Sequence, residues 1–166
     1  MTQETWVINA SPLITLGKVG RLDLLSEPQR RLVIPQAVVD EILAGPPTDP
    51  ARLSLESGFG DAALPASIDH DVAQWGLGRG ESAVLVLGRK LGATVVIDDR
   101  DARRAASVLG LSYIGTLGVV LQARRTGRIE SAKDVLRALV GQGLRLDDRL
   151  VASTLREAFG EIWKAD

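Results

Sequence analysis

The run Thr94-Val95-Val96-Ile97 constrains the fold more than any other part of the chain. All four residues are β-branched, and apolar and polar positions do not alternate. A strand of that kind has both faces covered. It ends at Asp98-Asp99. A segment with helical spacing lies on each side: Glu81 to Leu91, closed by Gly92, and Asp101 to Leu109, closed by Gly110. A doubly covered strand between two helices belongs to a parallel sheet, because parallel neighbours are joined by long crossovers.

The same alternation recurs elsewhere. Trp6-Val7-Ile8 is a short apolar strand that stops at Asn9, and Ser11-Pro12 then opens a helix, with Ser11 as N-cap. Leu13, Ile14, Leu16 and Val19 give that helix its apolar face. Arg31-Leu32-Val33-Ile34 is the second strand, and Ala37, Val38, Glu41 and Ile42 are spaced for a helix that breaks at Gly45-Pro46-Pro47. Ser112-Tyr113-Ile114 is a short strand, followed by a helix from Gly115-Thr116 to Arg125. Amphipathic helices near Ser131–Val140 and Asp148–Phe159 finish the chain. Residues 45–80 carry little periodicity. They predict an extended connection with a short helix, and only Ala63 to Ile68 is strand-like. The expected fold is α/β: one domain over residues 1–166, an α/β/α sandwich with a central, mainly parallel sheet.

Composition narrows the function. The 166 residues carry 20 basic and 21 acidic side chains, a formal charge of −1, which argues against a protein that grips nucleic acid by bulk charge. Cysteine is absent, which excludes thiolate metal sites and thiol nucleophiles. No apolar run approaches the ~20 residues of a membrane span, and Met1 to Thr5 lacks the pattern of a signal peptide. A cytoplasmic protein with no membrane association is expected.

Functional sites of open α/β sheets lie beyond the carboxyl ends of the strands. Asn9 follows the first strand there, and Asp98 and Asp99 follow the strongest one. Glu41 lies on the helix after the second strand, and Glu81 begins the helix leading into the Asp98-Asp99 strand. Each has an ordinary structural alternative. Asn9 suits a turn, Glu41 an exposed helix face, Glu81 a helix dipole and either aspartate an N-cap. As a set they predict an oxygen-donor site for Mg²⁺ or Mn²⁺, since crowded carboxylates call for a cation. Gly76-Leu77-Gly78-Arg79-Gly80 lacks the ending of a nucleotide loop and serves to turn Glu81 towards the site.

The motifs Asn9-Ala10-Ser11-Pro12-Leu13-Ile14, Ile34-Pro35-Gln36-Ala37-Val38-Val39-Asp40-Glu41, Gly78-Arg79-Gly80-Glu81 and Ile97-Asp98-Asp99-Arg100 occur in that order. With Ala102-Arg103-Arg104 and Ile114-Gly115-Thr116-Leu117-Gly118, they resemble a subgroup of PIN domains from Trp6 to about Glu161. The resemblance implies a Mg²⁺- or Mn²⁺-dependent endoribonuclease of the VapC toxin type, with RNA as substrate, a small antitoxin protein as partner and a homodimer as assembly. It puts Glu41, Glu81 and Asp99 on acidic metal positions. Asn9 stands where most active members carry Asp, which removes one negative charge. Asp98 is the less favoured member of its pair, because successive strand residues point opposite ways. Ser11 matches the small hydroxyl residue beside the first acid. Arg79, Arg100, Arg103, Arg104 and Thr116 are the expected phosphate contacts.

Two other readings remain open at this level. One is a non-cleaving PIN-like module that binds RNA or protein, motivated by Asn9. The other is a receiver-type signalling domain, disfavoured because the acid pair follows a late strand and no Lys follows Tyr113-Ile114. The only histidine, His70, is expected to be exposed and without a catalytic role.

Overall fold

The apolar segments assemble into one parallel sheet in a computed structural model that describes residues 3–164. Its strands are β1 (Glu4–Ile8), β2 (Arg30–Pro35), β3 (Ala62–Leu64), β4 (Thr94–Val96) and β5 (Tyr113–Ile114), in the spatial order β3-β2-β1-β4-β5. β1 is central, with Trp6 opposite Leu32 of β2 on one side and Thr94 of β4 on the other. Val7, Ile8, Val95, Val96 and Ile97 are wholly buried, as their lack of alternation requires.

The chain builds outward from β1 to β2 and β3, then returns to the other side of β1 for β4 and β5. The direction of winding therefore reverses between β1 and β4, and that reversal opens a crevice at their carboxyl ends. The helices are α1 (Ala10–Lys18), α2 (Gln36–Leu43), α3 (Pro50–Glu56), α4 (His70–Ala73), α5 (Arg79–Leu91), α6 (Arg100–Val108), α7 (Thr116–Arg125), α8 (Ala132–Gly141) and α9 (Asp148–Phe159). They flank the sheet in an α/β/α sandwich. Helix α5 lies across β1, β2 and β4, and it also touches α2 and α6. No helix among the described residues is long and apolar enough to cross a membrane.

Two expectations are corrected. Helix α1 starts at Ala10 with Asn9 as N-cap, so Ser11 lies inside the first turn. The Asn9 N–H still bonds the Val96 carbonyl at 3.1 Å, and the helix begins at the next residue. The segment 45–80 is not an extended connection. Asp49 caps Pro50 at the start of α3 through the Ala51 N–H at 2.8 Å, a Pro-after-cap signal that lies in plain sight in the sequence. Strand β3 ends at Leu64 rather than Ile68, since Pro65 follows, and Asp69 caps the short α4 that begins at the exposed His70.

At the opposite end of the sheet, Arg30 is buried with its guanidinium 3.5 Å above the Trp6 ring, and it pairs with Glu4 and Glu27. Charge pairing thus ties the start of β1 to the start of β2.

Helix α5 can lie this close to β4 because residue 88 is glycine: a Cβ there would overlap Val95 Cγ1. Gly88→Val is expected to lower stability by about 1–3 kcal/mol, read as a lower urea midpoint with an unchanged m-value.

Candidate active site

The crevice at the end of β1 and β4 has two lobes. One has a volume of about 500 Å³ and is lined by Asn9, Ser11, Glu41, Arg79, Gly80 and Glu81, among others. The second, about 370 Å³, is bounded by Asn9, Ser11, Glu81, Asp98, Asp99 and the 142–145 loop. Asn9, Ser11 and Glu81 belong to both and form the waist.

Asn9 holds the centre. An asparagine at an N-cap normally accepts from the second or third helical N–H. Here the Asn9 side chain caps nothing, and it makes no hydrogen bond among the described residues. The residue is only 5% exposed, and its amide faces both lobes. Its polar atoms still reach solvent and are open to water or to a ligand.

Glu41 meets Asn9 across Gly80. Helix α2 packs against α5, and a Cβ on Gly80 would sit 2.9 Å from Glu41 Oε2 and 3.5 Å from Asn9 Oδ1. A side chain at position 80 would have to displace the Glu41 carboxylate from this place. Glu41 itself is exposed and has no ion pair among the described residues.

The other acids are engaged locally. Glu81 Oε2 accepts the Gly78 N–H at 2.9 Å, the reciprocal half of a capping box whose other half a glycine cannot supply. Asp99 is the N-cap of α6 and accepts the Ala102 N–H at 2.9 Å. Asp98 accepts the Thr116 N–H at 2.8 Å and the Thr116 hydroxyl at 2.6 Å, with Arg103 Nη2 at 3.4 Å. That carboxylate ties the end of β4 to the start of α7.

These bonds correct part of the expected substrate set. Thr116 is completely buried and its hydroxyl is committed to Asp98, so its side chain is closed to a phosphate. Arg103 is oriented by the Ile97 carbonyl at 3.0 Å and by Asp98. Arg79 lines the larger lobe, whereas Arg100, Arg103 and Arg104 line neither. Four polar lining residues were given no site role by the sequence reading: Asp40, Thr15, Gln142 and Arg145. Thr15 was findable, since it lies one helical turn beyond Ser11 and donates to the Ser11 carbonyl. Gln142 and Arg145 had no signal, because only the tertiary fold returns their loop to the crevice.

A family model described as a PIN domain matches residues 5–160. The chain belongs to the PIN domain family. PIN domains commonly act as nucleases on RNA and typically use Mg²⁺ or Mn²⁺. Among solved structures this PIN domain is similar to a PilT N-terminus domain protein from the hyperthermophilic archaeon Sulfolobus solfataricus P2. The two share 20% identity at a TM-score of 0.45, over 72% of this chain and 92% of that chain. No protein of curated function matches it.

The donor set fits a hard divalent cation: it is all oxygen, and the space at Gly80 receives one amide and one carboxylate oxygen. Among the described residues no three His, Cys, Asp or Glu side chains gather into a ready-made cage. That is compatible with Mg²⁺, which keeps several waters and uses one or two carboxylates.

The neighbouring aspartates should separate cleanly in stability measurements. Asp99→Asn keeps an equally good N-cap and is expected to melt like the parent protein. Asp98→Ala leaves the Thr116 hydroxyl and amide unpaired and is expected to cost about 1–3 kcal/mol.

Proposed function

We propose that this PIN domain is a metal-dependent endoribonuclease, the toxin of a toxin–antitoxin pair acting in the cytoplasm. The observation that carries the reading is the convergence at Gly80: Glu41 Oε2 and Asn9 Oδ1 lie 2.9 and 3.5 Å from the position a Cβ would take there, and the Asn9 side chain makes no cap bond. Asn9 and Glu41 would hold Mg²⁺ or Mn²⁺ from one side of the waist, and Glu81 and Asp99 from the other. Bound there, such an ion would lower the pKa of a coordinated water and neutralise charge on a phosphodiester.

The chain's own residues supply the rest. Gly80 keeps the space clear of side chains, and Asp98 fixes the end of β4 so that Asp99 emerges at the crevice. Arg79 stands at the rim of the larger lobe with no ion pair among the described residues, ready to meet a phosphate. The antitoxin and the second copy would need apolar surface. Leu150, at 56% exposure, and Ile162, at 65%, are available for it.

A second reading, a PIN-like module that binds without cleaving, is favoured by one specific observation. Glu81 and Asp99 are both taken up by helix caps, and Asn9 cannot supply the missing charge. Each cap is worth only about 1 kcal/mol, so a bound divalent ion would outcompete it.

Purified protein is expected to cut single-stranded RNA with Mn²⁺ or Mg²⁺ and to stop when EDTA is added. Glu41→Gln and Asp99→Asn should each lower the rate by about 100-fold or more. Asn9→Asp restores a charged ligand and should tighten Mn²⁺ binding by about tenfold, measured by calorimetry. RNA binding without cleavage under all these conditions would establish the second reading instead.

A further inference from the structure

The smaller lobe has a wall that no site motif includes. Helix α8 ends at Gly141, and the chain turns back through Gln142, Gly143, Leu144 and Arg145 to bound the lobe opposite Glu81, Asp98 and Asp99. This loop is held in place. The Gln142 and Leu144 N–H groups donate to the Leu139 carbonyl at 3.0 and 3.1 Å, and the Gly143 N–H donates to Val140 at 3.0 Å. Gly143 has φ +99, a conformation that L side chains rarely adopt, so the turn depends on glycine. Leu144 and Leu146 pack against the core, and Arg145 between them is exposed.

Arg145 is exposed and bounds a lobe whose lining also carries three carboxylates, Glu81, Asp98 and Asp99. It makes no ion pair and no hydrogen bond among the described residues. The carboxylates by themselves would repel an anion, so the attraction of this lobe for a phosphate rests on Arg145, which lines it with no competing ion pair among the described residues. Resting on the nuclease reading above, we infer that Arg145 is a phosphate-contacting residue that receives the backbone of single-stranded RNA in the smaller lobe. The lobe is a concavity between helix ends. Single-stranded RNA is the form whose backbone and bases are free to follow such a protein surface. A guanidinium also meets a phosphate through paired N–H donors, which the ammonium of lysine cannot match.

The test is the salt dependence of RNA binding, followed by fluorescence anisotropy with a labelled single-stranded oligoribonucleotide in Ca²⁺ buffer. Arg145→Ala is expected to weaken binding and to make the slope of log K against log salt shallower by about 0.7, the value of one lost phosphate contact on a single strand. Arg145→Lys should keep most of that slope and lose part of the affinity. Arg137→Ala removes the same charge from an exposed position on α8 that lines neither lobe, and it should leave the slope unchanged. Wild-type binding with an unaltered slope in Arg145→Ala overturns the inference and leaves the nuclease reading standing. Tighter binding by Arg145→Ala also overturns it, because the arginine would then be a plug for the acidic wall. A wild-type protein that binds no RNA at all overturns both.

Discussion

The hydrogen bond from the Asn9 N–H to the Val96 carbonyl, 3.1 Å long, carries sheet pairing one residue past the end of β1. The backbone of Asn9 is therefore fixed by the sheet while the residue already serves as the N-cap of α1. Its side chain makes no cap bond to α1 and lines both lobes of the crevice. It is left facing the gap that the reversal of winding opens between β1 and β4. Glu41 and the β4 aspartates are positioned relative to that point: α2 reaches it by packing on α5 across Gly80, and Ile97 reaches it by pairing with Ile114.

Much of this was legible in the sequence because one physical rule set it. Unalternated β-branched runs fixed the buried strands, and glycines at 92 and 110 fixed helix ends; the parallel sheet and its carboxyl-end crevice followed. The same reasoning placed Asn9, Glu41, Glu81 and Asp99 around one opening. It could not say what each side chain is bonded to. Asp98 and Asp99 are adjacent and chemically identical in sequence, yet one is tied to Thr116, eighteen residues on, while the other caps its own helix. Thr116 was misjudged for the same reason, since a hydroxyl at a helix start looks alike whether buried or open. The segment from 45 to 80 failed differently. Its helices are short and its strand is an edge of three residues, so no periodicity accumulates.

An amide rather than a carboxylate at position 9 bears on the electrostatics of the crevice more than on its shape. A fourth carboxylate at the waist would repel Glu41 and Glu81, and only a cation would hold such a set together. With a neutral amide there, the remaining acids can relax into cap bonds to Gly78 and Ala102, which is the arrangement observed. The site is thus stable without an ion and keeps its oxygen atoms within reach of one. Local caps of about 1 kcal/mol each are weak competitors, so the geometry does not have to be rebuilt when a divalent cation arrives.

That relaxed state also bears on how an anionic substrate would approach. The protein carries a formal charge of −1, and bulk attraction for RNA is therefore small. Selectivity for a phosphate backbone must come from individual cations placed where the carboxylates would otherwise repel it. Arg103 is withdrawn from that role by Asp98 and the Ile97 carbonyl. Arg79 at the larger lobe and Arg145 at the smaller one remain, on opposite sides of the Asn9 waist. A strand laid from one to the other would pass over Asn9, so the two arginines would set the direction of the backbone across the oxygen atoms proposed to hold the metal. Binding and cleavage would then depend on different residues of the same crevice: the rim cations would govern salt dependence, and the waist would govern the response to metal.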